Sequence, residues 1–376
     1  MLLFAFLFFS FFTISNGQQI IRVEQLKGGD LVNEIDVNPP YSVYFSGSKD
    51  ADEDLKSIFL NTEDGEKKSF FDLKYSKFNE FSDILTPFQV NSTATITSSL
   101  GKLTLGWIKG FIYIVPEKQT KDKCFRVYDV DKVQFVKTSE ETDCTLVFLN
   151  SNHETSPVQS SKFTDWEHQG KDSSAKLYKG FPKEAEEGIP VFSNPIEVNG
   201  KSIVFIPDRF SVRFEVFHIK TSNHLHFKIR SGHVEMIGHT TSGYTTTGLV
   251  MKKTEEKPQD INIICVQDTR YNGTVGVNIV GRSKGTVTVK AVDYVDFEGI
   301  TVRPKSEKYT WTADLAQELN ISSTNADDGE FYIQYFIVQG QKISDKFKAI
   351  PEALVGKTGQ PMMDLVVLGI ILYLFL

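Results

Sequence analysis

Alternation of apolar and polar residues is the feature that most constrains the fold of this chain. It recurs in short runs, such as YSVYFSG at 41–47, FSVRFEVFHIK at 210–220 and GTVTVKAVDYVDF at 285–297. A period of two places successive side chains on opposite faces of a strand, and the runs are rich in the β-branched and aromatic residues that strands favour. Helical patterns are limited to one or two turns, as in DADEDLKSIFL at 50–60. The sequence therefore predicts an all-β protein of antiparallel sandwiches or barrels.

A polar stretch divides the chain in two. Residues 153–189 are rich in Ser and Lys and lack sustained alternation, which is typical of a linker. We therefore predict a first β-sandwich domain over 18–152 and a second over 190–350. The length of 376 residues fits two domains of ordinary size.

The N-terminal end has the pattern of an export signal. Residues 1–17 form an apolar run that ends in small residues, which predicts a secretory signal peptide cleaved after Gly17. The run departs from the usual pattern because no Lys or Arg precedes it, so a retained signal anchor is the alternative.

The C-terminal end has the pattern of a lipid-anchor signal. Residues 351–376 combine small residues, a polar spacer and an apolar tail, which is typical of glycosylphosphatidylinositol attachment. Gly356 is the predicted attachment residue, with Ala353 and Gly359 as rivals. The tail at 365–376 is shorter than the ~20 residues that a membrane-spanning helix needs, and a buried terminal strand or helix is the alternative. The chain is thus predicted on the extracellular face of the plasma membrane, or secreted if the anchor is absent.

The three cysteines fit an exported chain. Cys124 and Cys144 lie 20 residues apart and are predicted to form a disulfide. Cys265 lies in the apolar run DINIICVQD and is predicted to be a buried free thiol, with an intermolecular disulfide as the alternative. With so few cysteines, most of the stability is expected to come from hydrophobic cores.

Three sequons predict N-linked glycans. Each has the form N-x-S/T without a central proline, and in a secreted chain such a sequon is a surface acceptor. The acceptors are Asn91, Asn272 and Asn320.

Composition and motifs argue against several function classes. The net charge is −7 and no basic run occurs, which argues against nucleic acid and anionic lipid as partners. The sequence shows no H-E-x-x-H motif and no nucleophile elbow, in which the serine of G-x-S-x-G lies at a turn from a strand to a helix, so the chain is predicted not to be an enzyme. Asp50, Asp52 and Asp54 begin like a calcium loop, but Leu55 and Asn61 replace its glycine and glutamate. No cofactor is predicted, and an irregular calcium site is the alternative.

Histidines cluster in the second half of the chain. The stretch HLHFKIRSGHVEMIGH predicts a hairpin that turns at Ser231 and Gly232 and places His224 opposite His239. His226 then shares their outer face. Three such imidazoles could bind Zn²⁺ or Cu²⁺, or gain charge below pH ~6.5. A solvated polar face is the more ordinary interpretation.

The layout of the chain resembles that of the nematode secreted CUB-like proteins. The stretch PFQVNSTATITSSLGKLTLGWIKGFIYIV at 87–115 is similar to the Gly-centred strand pair and following aromatic strand of those modules. The chain departs from true CUB domains, which carry two disulfides and a set of acidic calcium ligands. The resemblance implies jelly-roll sandwiches and a role at intestinal or epidermal surfaces, often in defence against microbes. It implies no catalytic residue.

Together these patterns predict two tandem antiparallel β-sandwich domains of jelly-roll, CUB-like type. The predicted function is that of a non-enzymatic, lipid-anchored glycoprotein that binds a glycan, a microbial surface or a protein at an epithelium, in innate immune defence. Membrane contact is expected through the lipid anchor alone, and no nucleic acid is expected as a partner. The alternatives are an exported hydrolase and a structural cuticle or coat protein that self-associates through Cys265.

Overall fold

The computed structural model describes residues 17–76, 84–121, 124–130, 134–138, 143–152, 159–183, 188–233, 239–242, 245–252, 260–265, 271–293, 296–324 and 329–342. Strands dominate this part of the chain, so the prediction of an all-β fold is confirmed. The short helices are α1 (Asp52–Leu55), α2 (Phe70–Tyr75), α3 (Lys102–Leu105), α4 (Glu117–Thr120) and two 3₁₀ turns at Val23–Gln25 and Lys49–Ala51. The predicted anchor signal, with Gly356, and all of the signal peptide except Gly17 lie outside the described residues.

The N-terminal unit is a sandwich of two four-stranded antiparallel sheets. Its strands are β1 (Gln19–Arg22), β2 (Asn33–Glu34), β3 (Tyr41–Gly47), β4 (Ile58–Thr62), β5 (Lys67–Ser69), β6 (Phe88–Val90), β7 (Ala94–Ser98) and β8 (Gly110–Pro116). One sheet has the order β1-β8-β3-β6 and the other β2-β7-β4-β5. Phe45 and Ile112 of the first sheet pack against Leu60 and Ile96 of the second. Alternation thus places one face of each sheet in a shared core.

The middle unit is one seven-stranded sheet organised around two long strands. Strands β9 to β18 are β9 (Cys124–Asp129), β10 (Gln134–Lys137), β11 (Cys144–Leu149), β12 (Gln159–Lys179), β13 (Phe192–Asn194), β14 (Ile196–Val198), β15 (Lys201–Ile203), β16 (Ile206–Pro207), β17 (Phe210–Val212) and β18 (Val216–His233). The sheet has the order β13-β12-β18-β11-β9, with β10 also on β18 and β17 also on β12. Strands β14 and β15 form a separate hairpin.

The middle sheet corrects the predicted domain boundaries. β12 lies inside the predicted linker at 153–189, and β11, from the predicted first domain, pairs with β18, from the predicted second. Two bulges interrupt the pairing of β12, one of them between Thr164 and Glu167. An extra residue shifts the phase of a strand, so Phe163 and Trp166 both reach the core although they are three residues apart. The bulge therefore interrupts the alternation of apolar and polar residues by which β12 could have been predicted as a strand.

The C-terminal unit is a second sandwich, of two five-stranded sheets. Its strands are β19 (His239–Ser242), β20 (Thr246–Lys252), β21 (Asp260–Cys265), β22 (Tyr271–Ser283), β23 (Val287–Val292), β24 (Phe297–Val302), β25 (Tyr309–Asp314), β26 (Glu318–Ser323) and β27 (Gly329–Lys342). The sheets have the orders β16-β20-β27-β22-β25 and β19-β21-β26-β23-β24. Val277 and Ile333 of the first pack against Val289 and Ile321 of the second. Two sandwiches are present, as predicted, and their strand pairs are antiparallel except that β16 runs parallel to β20 and β19 parallel to β21. The middle sheet lies between the two sandwiches in sequence.

Buried side chains of the middle sheet pack against those of both sandwiches. Tyr44 and Tyr113 lie on the outer face of the first sheet and cluster with Val147 of the middle sheet. This second contact explains why every residue of β3 and β8 is buried. On the other side, Tyr332 of the C-terminal sandwich meets Phe214 edge to face, with ring centroids 5.3 Å apart. The middle sheet thus packs against both sandwiches.

The cysteines lie where the sequence predicts. Cys124 and Cys144 are opposite each other on the parallel strands β9 and β11 and form a disulfide, with Cα atoms 4.5 Å apart. Cys265 is a free thiol with 4% of its surface exposed. A coat protein linked through Cys265 is therefore not supported, because the thiol is not at the surface.

We expect Cys265 to resist alkylation while the protein is folded. Burial raises the pKa of its thiol to about 12, so the reactive thiolate is scarce near neutral pH. Iodoacetamide labelling, read by mass spectrometry with and without urea, checks this expectation. Rapid labelling without urea would contradict the buried position.

Candidate functional site

The predicted histidine site is wrong because the predicted hairpin does not form. β18 continues through the expected turn and pairs along its length with β12. His224 faces Gln169 rather than His239, and His239 lies in another sheet, where it pairs with Asn262. The sequence of this one long strand, interrupted by the turn-like pair Ser231 and Gly232, has the pattern of two shorter strands.

Acidic side chains lie beside this polar face. The carboxylate of Glu167 is 3.5 Å from Nδ1 of His226, and that of Asp165 is 2.5 Å from Nζ of Lys228. Among the residues that the structure describes, no group of three or more His, Cys, Asp or Glu is placed to hold a metal ion. The arrangement fits an ion-paired strand surface.

The calcium alternative is not supported at Asp52. Its carboxylate accepts hydrogen bonds from Lys74 Nζ at 2.7 Å and from the Tyr75 hydroxyl at 2.6 Å. Burial acts to raise the pKa of Asp52, but the bonds from Lys74 and Tyr75 outweigh it, so the pKa is lowered. The Lys74 side chain is 4% exposed, so Asp52 neutralises a buried ammonium. Asp52 is therefore not available to bind a metal cation together with Asp50 and Asp54.

The three sequons occupy different settings. Asn91 is exposed in the loop between β6 and β7, and Asn272 is exposed beside the bulge of β22. Asn320 is half-buried on β26, between Asn262 and Lys290 of the neighbouring strands. Glycans at these three residues remain a prediction.

His168 is held neutral in the middle sheet. The Trp166 indole N–H donates to His168 Nε2 at 2.9 Å, so Nδ1 carries the imidazole proton and donates to the Ser173 hydroxyl at 2.9 Å. Burial lowers the pKa of His168 to about 4. The imidazole therefore acts as a neutral bridge between two side chains of β12.

We expect the protein to lose stability as the pH falls from about 6.5 to about 4. In that window the unfolded chain binds a proton at His168 and the folded chain does not, so unfolding is favoured. The expected loss is about 2 kcal/mol, allowing for partial exposure of the ring. Urea unfolding at several pH values measures it, and a His168→Gln variant should show a flatter dependence. An unchanged slope in that variant would exclude His168 as the cause.

A basic cleft lies where the middle sheet meets the C-terminal sandwich. Its volume is about 1140 Å³. Six basic side chains line it: Lys179, Lys183, Arg282, Lys284, Arg303 and Lys305. Among the described residues Glu330 is the one acidic side chain in the lining, and the three glutamates at 184–187 lie outside those residues. The concentration of positive charge contrasts with the net charge of −7 of the whole chain.

Backbone contacts hold one wall of the cleft. The Ser306 N–H donates to the Gly281 carbonyl at 2.7 Å, and the Ser283 N–H donates to the Pro304 carbonyl at 3.3 Å. These bonds fix residues 303–306 against the end of β22. Gly329 has φ +87, and a Cβ there would lie 2.0 Å from the Arg282 carbonyl oxygen. Only glycine fits where β27 begins beside this wall.

An ion pair joins the two walls. Lys179, at the end of β12, contacts the carboxylate of Glu330, at the start of β27. The Lys179 ammonium also lies 6.0 Å from the centre of the Phe214 ring. The pair therefore links the middle sheet to the C-terminal sandwich at the cleft.

Buried aromatic side chains and a histidine form another part of the lining. His218 is 2% exposed and stacks on Tyr178 with ring centroids 5.0 Å apart. Its Nδ1–H donates to the Gly180 carbonyl at 2.7 Å, because a carbonyl can only accept. Burial and the neighbouring Glu330 raise the pKa of Tyr332, so its phenol stays neutral. These groups shape the cleft and leave its charge to the lysines and arginines.

Sequence reasoning missed this site because its charges are scattered along the chain. They occur as the short segments YKGFPK at 178–183, GRSKG at 281–285 and VRPKS at 302–306. None of these is a basic run, and the absence of a run argued against anionic partners. The topology brings them together, since Arg282 and Lys305 form a backbone bridge. The available signal was the repeat of two cations separated by a single residue, Arg282 with Lys284 and Arg303 with Lys305.

Comparison with known proteins assigns the family. In the described part of the chain, no helix is long and apolar enough to cross a membrane. No curated protein matches the sequence. Among solved structures the chain is similar to the CUB1-EGF-CUB2 domain of human MASP-1/3, with 9% identity and a TM-score of 0.18 over 58% of this chain and 100% of that chain. A family model described as "Glycoprotein: Transmembrane glycoprotein" matches residues 38–363. Because that match covers most of the sequence, the chain belongs to the transmembrane glycoprotein family.

Proposed function

We propose that this protein is a non-enzymatic extracellular glycoprotein that binds a ligand in the basic cleft. The observation that carries the proposal is the gathering of six basic side chains in one concave site of an acidic chain. A cleft lined by one sign of charge focuses the electrostatic field and raises the local concentration of an oppositely charged partner. Family membership supports a surface glycoprotein as the setting.

The proposed setting is the outer face of an epithelial cell, with a lipid anchor at Gly356. The terminal patterns at 1–17 and 351–376 support export followed by anchoring. The resemblance to nematode secreted CUB-like proteins supports an epithelial surface and a role in defence. A microbial surface or an extracellular glycan would then be the partner.

Binding fits the lining of the cleft better than hydrolysis does. General acid–base chemistry needs a titratable group that can reach the substrate, and glycoside hydrolysis needs two carboxyl groups. Of the described lining residues, Glu330 contacts Lys179, and the Nδ1–H of His218 is bonded to the Gly180 carbonyl. These two titratable groups are thus engaged in holding the cleft together. Ser283, whose segment GRSKG has the letters of G-x-S-x-G, lies at the end of β22 on the way to strand β23 and not at the strand-to-helix turn of a nucleophile elbow.

The test begins with the full-length chain in animal cells. Phosphatidylinositol-specific phospholipase C is expected to release the protein with a C-terminal peptide ending at Gly356. The released ectodomain should then bind epithelial cells or microbial surfaces, and an Arg303→Glu/Lys305→Glu variant should bind them less. Retention of residues 365–376 in the membrane fraction would refute the anchor. Equal binding by the variant would refute the cleft as the site.

A further inference from the structure

We propose that the ligand of the cleft is a polyanionic saccharide, a sugar chain that carries sulfate or carboxylate groups at regular intervals. This inference rests on the proposed function and names the ligand class of the same site. It is supported by the spacing of the cations, by the size of the cleft and by its exposed apolar surface.

Four of the cations form two short rows on neighbouring segments that run antiparallel. Arg282 lies near the end of β22 and Lys284, two residues later, just beyond that end. Arg303 and Lys305 are two residues apart just after β24. Side chains two apart on an extended backbone point to the same side, about 7 Å from each other. The backbone bridge between Arg282 and Lys305 places the rows side by side. Repeated charges along a polymer match such rows better than a single phosphate does.

A third pair lies on the opposite wall. Lys179 and Lys183 come from the end of β12 and the loop after it, in the middle sheet. Lys183 is exposed, and Lys179 already contacts Glu330. A ligand in the cleft therefore meets positive charge from two units of the protein, so it can be held along both sides.

The cleft is large and partly apolar. Its volume of about 1140 Å³ exceeds the ~300–1,000 Å³ of ordinary small-molecule pockets, so it suits an extended ligand. Ile189 is 38% exposed and Phe181 is half-buried in the lining. Such side chains can pack against the apolar faces of sugar rings while the rim cations bind the anionic groups.

The same lining disfavours nucleic acid. Single-stranded nucleic acid binds by stacking its bases on accessible aromatic rings. Tyr178 and Tyr332 are only 8% and 4% exposed, so half-buried Phe181 is the one tyrosine or phenylalanine ring of the described lining on which a base could stack. A long duplex would also extend beyond the cleft over a chain whose net charge is −7.

The experiment measures binding of the released ectodomain to four probes at 50 and 200 mM NaCl. Between these salt concentrations, the affinity is expected to fall by about threefold or more for each charge contact. The probes are heparin, hyaluronan, neutral dextran and a short DNA duplex. We expect heparin to bind most tightly, with hyaluronan next, and binding to weaken steeply with salt. The Arg303→Glu/Lys305→Glu variant is expected to lose about tenfold in heparin affinity.

Two controls keep the result interpretable. A Lys68→Glu/Lys201→Glu variant makes the same charge change at exposed lysines outside the cleft, and its affinity should change less than about twofold. An Arg303→Gln/Lys305→Gln variant should show a smaller loss than the glutamate pair, and thermal unfolding should show both cleft variants folded.

The outcomes separate the inference from the proposed function. Equal losses in the cleft and control variants, binding of dextran as tight as that of heparin, or preference for DNA would each overturn the polyanionic saccharide. If the ectodomain binds cells through the cleft but does not bind heparin or hyaluronan, the assignment of a polyanionic saccharide fails and the proposed function stands. If it binds neither cells nor saccharides, both fail.

Discussion

Replacement of Phe163 by alanine is expected to lower the free energy of unfolding by about 4 kcal/mol. Phe163 is 1% exposed. Its ring centroid lies 4.8 to 5.9 Å from the ring centroids of Trp166, Phe210, Phe217 and Phe227. Truncation removes the buried ring and leaves a cavity that stacked neighbours cannot readily fill. Denaturant unfolding of the released ectodomain measures the loss.

The matched control for Phe163 is Phe135 in the same sheet. Phe135 lies on β10 and is 68% exposed. Its replacement by alanine should change stability by less than about 0.5 kcal/mol. Similar losses for the two variants would show that the middle sheet does not have the aromatic core described above.

Removal of the disulfide is the second large effect. A Cys124→Ala/Cys144→Ala variant should be less stable by roughly 3 kcal/mol, because the bridge no longer restricts a loop of about 20 residues in the unfolded chain. The bridge joins β9 to β11 at one edge of the middle sheet, so local opening of β9 should increase as well. Unfolding in denaturant measures the first effect, and hydrogen exchange measures the second.

The control for the disulfide is the third cysteine. A Cys265→Ala variant removes one buried sulfur from the core of the C-terminal sandwich and should cost about 1 kcal/mol. A larger loss from Cys265→Ala than from the double variant would contradict the pairing of Cys124 with Cys144.

The regular strands were predictable because every second side chain points to a single buried face, so apolar and polar residues alternate in the sequence. β23 (Val287–Val292) alternates between buried and less buried residues, as its sequence VTVKAV indicates. β12 was not predictable, because its bulges bring Phe163 and Trp166 to the same core. A polar strand with a broken period has the composition of a linker.

The extent of β18 was not predictable either. Ser231 and Gly232 have the composition of a hairpin turn, yet they pair with Ser161 and Ser160 of β12. Residues of this composition form a turn only when no partner strand continues beside them. Here the partner is β12, which lies about 70 residues earlier and has the polar composition of a linker. One missed strand thus led to a second error and to the wrong histidine site.

The basic cleft depends on contacts between distant segments. Arg282 is brought beside Glu330 by the pairing of β22 with β27, and beside Lys305 by the bridge at the end of β22. The sequence shows only pairs of cations near strand ends. Sheet order decides which strand ends meet, and single-sequence patterns do not determine sheet order.

Hydrogen–deuterium exchange of the ectodomain with and without heparin tests most directly whether the cleft is the ligand site. Heparin is expected to slow exchange at 281–284, 303–306 and 329–332, and the Arg303→Glu/Lys305→Glu variant should show little of this protection. The most exposed apolar side chains of the described residues, Leu103 and Trp107, are each 85% exposed on the N-terminal sandwich. Protection confined to that region, with none in the cleft, would contradict the account.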